Sequence, residues 1–137
     1  MQWLVYLSEA RVGPKSADAA QIYLTARKRN RELGLTGYLH RENGCFLHYV
    51  EGPAEGLETL LVSLRRDWRH QNMQIFGRGP LKSRRFPDWD MAFTETPDAS
   101  FAMWLGVSAG DGPCAQALAE ASSETVLAFF DSLRDAG

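Results

Sequence analysis

No apolar run in this chain approaches the ~20 residues that a membrane-spanning helix needs. The opening residues, MQWLVYLSEA, also lack the basic flank and small-residue cleavage site of a secretory signal. These absences predict a cytoplasmic protein with no membrane partner. Two cysteines, Cys45 and Cys114, are too few for a disulfide framework, and no Cys/His spacing resembles a zinc site, so neither staple nor metal is expected. Charge of one sign is lacking as well: 15 basic against 17 acidic residues leave a net charge of -2, which argues against a general polyanion binder and so against a nucleic-acid partner. Catalytic signatures are missing too. There is no G-x-S-x-G elbow, Walker loop, H-E-x-x-H pair or dinucleotide fingerprint, so the sequence predicts no enzyme. At 137 residues the chain fits one domain and excludes a multidomain machine.

What is present is hydrophobic periodicity of two kinds. Residues 2–8 are apolar and β-prone and read as a buried strand, followed after Gly13-Pro14 by a helix over 17–32, with Ser16 as its N-cap. Ala19, Ile22, Tyr23, Ala26 and Leu33 recur at helical spacing there. Strand-like segments 36–41 and 45–51 flank Glu42-Asn43-Gly44, a strong hairpin signal. After Gly52-Pro53, Leu57, Leu60, Leu61 and Leu64 mark a second amphipathic helix ending near Asp67. Shorter strands fit 74–77 and 89–93. The order is βαββαββ, an α+β ferredoxin-like sandwich in which the first and third strands are expected as parallel central neighbours.

Both faces of the first strand are apolar, so the face opposite the helices needs a cover. The tail supplies one in two helical pieces, with Ala115, Leu118, Ala119, Ser122, Val126, Phe129 and Leu133 in a stripe broken near Ser122-Ser123. Residues 1–95 are thus expected as the main unit and 96–137 as its helical extension, packed on the sheet. The same stripe suits contact with another subunit.

Several polar residues fall on apolar surfaces. Asn30 extends the core-facing row of the first helix; an Asn near a helix end also commonly satisfies backbone groups. His48 alternates with Phe46 and Val50, and a lone histidine on such a face is more often a core residue than a functional one. Tyr6 divides between a core ring and a polar handle in a cavity. The run Arg27-Lys28-Arg29, with Arg31, reads as a solvated helix surface, and Arg84-Arg85 divides between phosphate contact and turn solvation.

Taken together, the residues resemble a known family. The segments 4–8 (LVYLS), Arg29-Asn30, 34–39 (GLTGYL), 46–53 (FLHYVEGP), 67–70 (DWRH) and 84–91 (RRFPDWDM) match, in this order and spacing, the BLUF domains, blue-light sensors that use FAD. The match covers roughly residues 3–93, and the short tail resembles the stand-alone type with no enzymatic output domain.

The resemblance implies a flavin between the two helices, against the sheet face bearing Tyr6 and His48. It implies cofactor contacts from Tyr6, Ser8, Asn30, His48, Asp67, Arg69 and His70, the last three at the end of the second helix. Ser63 stands where many relatives carry a basic or imidazole side chain. Trp89 and Met91 match a mobile segment that passes on the light signal. The chief departure is His48, which occupies the place of the family glutamine. In the family, light draws an electron and a proton from the tyrosine to the flavin, and the amide rearranges to give a red-shifted state. An amide can reverse its donor and acceptor, whereas neutral imidazole has one of each on opposite sides of a rigid ring. The photocycle is therefore expected to be altered or its lasting red-shifted state lost. Signalling through a separate protein, or within a homo-oligomer, is implied by the short tail. A non-photoactive flavin-binding or interaction module of the same fold is the alternative. A hydrolase of the acylphosphatase kind is a weaker one, for want of a glycine-rich, arginine-bearing loop after the first strand.

Overall fold

A computed structural model of the chain describes residues 1–11, 13, 17–42, 44–89, 91–95 and 122–136. The order is β1 (Gln2–Ala10), α1 (Ala17–Leu33), β2 (Thr36–Glu42), β3 (Cys45–Gly52), α2 (Ala54–Arg66), β4 (His70–Pro80), β5 (Ala92–Glu95) and α3 (Ser123–Ala136). The five strands form one sheet in the order β4-β1-β3-β2-β5. The ferredoxin-like α+β architecture is as expected, but β1 and β3 are antiparallel, not parallel. The reason is topological: the α1 crossover makes β1 and β2 parallel with β3 between them, and the hairpin turns β3 against both.

Alternation along the strands sorts the core into two layers. Leu4, Tyr6 and Val50 pack with Leu57, Leu60, Leu61 and Leu64 of α2, while Leu39 and Phe46 pack with Ala26 of α1. On the opposite face, Val5, Leu7, Tyr38, Leu47 and Tyr49 meet Val126, Phe129 and Phe130 of α3. The second tail piece therefore covers the sheet as expected, while the first lies outside the described residues. Each buried Leu or Phe contributes roughly 1.5–3 kcal/mol of transfer free energy. Ser122, where the stripe seemed broken, caps α3 by accepting a hydrogen bond from the Thr125 amide at 3.2 Å. Ser16, Asn43, Ala115, Leu118 and Ala119 lie outside the described residues.

Two strand boundaries and the place of His70 differ from the sequence reading. β4 runs from His70 to Pro80, because the indole of Trp3 lies across Gly77 and Gly79, where an added Cβ would sit 2.9 Å from the ring. β5 begins at Ala92 rather than at Trp89, and pairs parallel with β2. α2 ends at Arg66, so His70 opens β4 instead of closing the helix. Cys45 is buried and disulfide-bonded, against the expectation of no staple, with its partner outside the described residues.

Candidate functional site

Register brings Tyr6 and His48 face to face, since they are direct cross-strand partners on β1 and β3. Both point to the helix side of the sheet, and the Tyr6 hydroxyl lies 2.9 Å from His48 Nδ1. The rings meet edge-on, with centroids 5.1 Å apart. On its other edge, β1 carries register shifts against β4 between Val5 and Tyr6 and between Leu7 and Glu9, so the pairing is irregular on both sides of Tyr6. Beyond the pair lies a small chamber of about 20 Å³, lined by Tyr6, His48, His70, Arg29, Asp67 and apolar residues of α1, α2 and the sheet. Among the described residues, His48 Nε2 and Arg29 Nε are buried without a hydrogen-bond partner.

Electrostatics fix the resting protonation of the pair. Burial, reinforced by the positive charge of Arg29 and by His70, lowers His48 to about 3, so the imidazole is neutral at physiological pH. Burial likewise pushes the Tyr6 phenol upward, although Arg29 pulls it back. A phenol that keeps its proton and donates to Nδ1 leaves the imidazole proton on Nε2. Burial also lowers His70, while nearby Asp67 opposes the shift. Burial alone would raise Asp67, but hydrogen bonds from Arg69 hold its carboxyl below the usual range.

Outside the chamber, an open groove of about 650 Å³ runs between α1 and the C-terminal end of α2, lined by Asp18, Gln21, Thr25, Ser63, Arg66, Trp68 and Arg69. Arg29 and Asp67 border both spaces. Arg69 grips Asp67 through two bonds of 2.8 Å, from Nε to Oδ1 and from Nη2 to Oδ2, an ion pair at the rim. Of the residues singled out from sequence, Tyr6, His48, Asp67 and His70 thus converge on the chamber, and Arg69 stands at its mouth. Asn30 and Ser8 are buried but do not line it. Arg29 is the residue that sequence reasoning missed. It was grouped with solvated helix charges, yet its spacing from Ile22 and Ala26 puts it on the cavity face.

Trp89 and Met91 fall on different layers. Met91 is buried with Ala26, Leu39 and Phe46 on the helix side, and its carbonyl accepts a hydrogen bond from the Tyr23 hydroxyl of α1 at 3.1 Å. Trp89 stacks on Phe86 at 5.6 Å and packs on the α3 side, while its carbonyl accepts the Gly37 amide of β2 at 3.1 Å. Gly37 is required for that edge, because a Cβ there would sit 2.3 Å from the Tyr49 carbonyl oxygen. The loop before Trp89 is pinned by Glu51, whose buried carboxylate accepts the backbone amides of Arg85 and Phe86 at 2.6–2.8 Å. Arg84 adds hydrogen bonds to Gly34 O and Thr36 Oγ1. Both arginines are therefore structural partners and not simply solvated.

The chamber is smaller than any flavin ring, since ligand sites generally span ~300–1,000 Å³. Its chemistry nevertheless fits one: unpartnered ring nitrogens of His48 and His70 and an unpartnered guanidinium nitrogen of Arg29 stand among the apolar side chains of Ile22, Ala26, Leu39, Phe46 and Leu64. The adjoining groove is of ligand size.

Comparisons with known proteins bear on the fold and the family. A family model described as "BLUF: Sensors of blue-light using FAD" matches residues 1–92. A photoactivated adenylate cyclase subunit beta of Euglena longa is 33% identical over 100 residues, covering 72% of this chain and 12% of that protein. A subunit alpha of Euglena gracilis is 31% identical over 91 residues, covering 64% of this chain and 9% of that protein. The chain thus spans no more than 12% of the length of these two relatives. Among solved structures, the dark state of BlrB, a BLUF protein, superposes with a TM-score of 0.73 at 28% identity, covering 96% of this chain and 92% of that one. BlsA in its ground state shares the fold with a TM-score of 0.81 at 20% identity, covering 96% and 86% of the two chains. Among the described residues, no helix is long and apolar enough to cross a membrane.

Proposed function

The chain belongs to the BLUF family, sensors of blue light using FAD, and from that premise we propose a photosensory module whose light reaction runs through Tyr6 and His48. The observation that carries this reading is the 2.9 Å bond from Tyr6 to His48 Nδ1, with Nε2 free to face a ligand in the chamber. FAD, when bound, absorbs blue light and in its excited state accepts an electron.

With FAD bound, His48 Nε2–H and the Arg29 guanidinium would donate hydrogen bonds to it with His70 beside them, and Asn30 and Ser8, buried outside the closed chamber, would join its polar surroundings in the opened slot. Asp67 and Arg69 hold the rim. Loading requires the Arg29 and Asp67 side chains to part, which joins chamber and groove into one slot. Loss of an electron makes the Tyr6 phenol strongly acidic, and its proton passes along the existing bond to Nδ1. That proton is poorly held, because burial and Arg29 disfavour a charged His48. Return of the electron to Tyr6 returns the proton. The imidazole has no amide to turn, so no rearranged hydrogen-bond pattern persists.

BLUF domains are sensor modules. We read this chain as one without catalytic output, with residues 1–95 as the flavin unit and 96–137 as its helical extension. It acts in the cytoplasm as a homo-oligomer or on a separate signalling protein, through the Trp89–Met91 segment and the tail.

Absorption spectra of the purified protein, dark and after blue light, test the reading. A bound-flavin spectrum without a lasting red shift is expected. An ordinary reversible red shift would defeat the role given to His48, and a protein that stays colourless after loading with FAD would defeat the whole assignment.

A further inference from the structure

We propose that the seam between α3 and the loop at 81–85 is a second binding site, which takes a phosphate-bearing small molecule. Lys82, Arg84, Arg85 and Arg134 line an open pocket of about 290 Å³ there, together with Leu81 and Ser83, and Asp131 is the one carboxylate in that lining. Four cations against one anion is a local excess that the chain as a whole, at -2, does not share.

The three arginines are also held in place. Arg84 is fixed by neutral oxygens alone among the described residues: Gly34 O at 2.8 Å, Thr36 Oγ1 at 3.0 Å and Glu51 O at 3.4 Å. Arg85 Nε meets Asp131 Oδ1 at 2.6 Å, and Arg134 reaches the same oxygen at 3.3 Å. Glu51 lies behind the loop amides and Asp135 beside Arg134, and these reduce the excess without reversing it. Fixed guanidinium groups pair with phosphate oxygens at little entropic cost. The pocket's size sits at the small-molecule end of the ligand range, ~300 Å³ upward, so a compact anion suits it better than a protein segment. With Asp131, Glu51 and Asp135 all counted, one positive charge remains in excess, and the several guanidinium donors around it favour the many oxygens of a phosphate over a single carboxylate.

The site does not involve the flavin chamber. It does join two separate elements, because Arg134 belongs to α3 whereas Lys82–Arg85 lead directly to Phe86 and Trp89. An anion touching both would clamp the tail helix against the loop, and it would stabilise the folded chain by mass action.

Titration of the full chain with pyrophosphate and with inorganic phosphate, against sodium chloride of matched ionic strength, is the test. Saturable binding is expected, tighter for pyrophosphate, with a rise in melting temperature. Lys82→Ala, an exposed site with no bearing on the fold, and Arg134→Ala should each weaken binding about three- to tenfold. Asp131→Asn should tighten it, a sign that loss of a merely structural ion pair would not produce. Vesicles of phosphatidylcholine with phosphatidylglycerol distinguish the source: co-sedimentation lost in Lys82→Ala assigns the phosphate to a lipid headgroup, and its absence to a free metabolite. No saturable binding, or affinities that the variants leave unchanged, would overturn the proposal. Neither result bears on whether flavin binds.

Discussion

Trp89 and Met91, separated by one residue, lie on opposite faces of the sheet. Met91 is buried beneath α1 with Leu39 and Phe46, which line the flavin-side chamber, while Trp89 stacks on Phe86 in the layer that α3 covers. The segment therefore touches both layers and is anchored on each. Tyr23 holds the Met91 carbonyl from the helix side, and Gly37 donates to the Trp89 carbonyl from β2. The Tyr23 hydroxyl thus links α1 to this crossing point, beside the packing of Ala26 on Met91.

Tyr23→Phe should loosen that link and little else. The ring keeps its edge contact with Phe93, at 5.8 Å between centroids, and only the hydroxyl is lost. A net hydrogen bond is worth about 0.5–1.5 kcal/mol. Backbone hydrogen exchange over 92–95 should therefore quicken by about two- to tenfold with the chamber unaffected. Unchanged exchange there would show that β2 pairing alone holds the segment.

His48→Gln should restore a long-lived red-shifted state. The substitution returns an amide, with donor and acceptor on one carbon, to a position where Tyr6 is already aligned. Light-minus-dark difference spectra of the two proteins, equally loaded with FAD, give the answer. If the variant behaves like the parent, the limitation lies elsewhere in the chamber, and Arg29 becomes the next residue to change.

The legible parts of this molecule were those in which pattern and packing coincide. The β2–β3 hairpin, the α2 leucine stripe and the apolar faces of β1 alternate cleanly, so their residues predict their layers. β4 was read too short because its length depends on Trp3 lying over glycines, a long-range contact without local periodicity. β5 was placed too early because Trp89 satisfies β-propensity while packing as a loop on Phe86. In the site, Tyr6 and His48 followed from strand alternation and the family resemblance. Arg29 was hidden by its charged neighbours, and the neutral state of His48 depends on burial that no spacing reveals.

Glu51→Gln should weaken the loop that carries Trp89. The carboxylate accepts three short contacts from the Arg85 and Phe86 amides, and burial raises its pKa against the pull of those donors. A glutamine keeps one acceptor oxygen but turns an NH2 group toward donors, leaving at least one buried amide unpaired. The expected loss is about 1–3 kcal/mol, seen as a lower urea midpoint with an unchanged slope. Trp89 emission should shift toward the exposed range. A stability within error of the parent would mean that Arg84 alone pins the loop.

Acidification should destabilise the fold through His48 before the carboxylates matter. The folded state holds this imidazole at about 3, whereas an unfolded histidine titrates near ~6.5. Between those values the unfolded chain binds a proton that the native chain refuses, so stability rises with pH there and falls as pH is lowered. The lost increment reaches about 2 kcal/mol by a pH of about 5. Lowered His70 acts with the same sign over its own window, whereas Glu51, raised by burial, acts with the opposite sign over its own. Asp67, also lowered, adds its loss only below the range in which unfolded carboxylates ionise, ~4. Urea unfolding of the parent and of His48→Gln from pH ~7.5 down to ~5 isolates the His48 contribution, because the glutamine variant lacks that increment and keeps those of His70, Asp67 and Glu51. Parallel stability curves for the two proteins would mean that His48 takes up its proton in the folded state near the ordinary value. A charged imidazole beside Tyr6 would then replace the neutral relay.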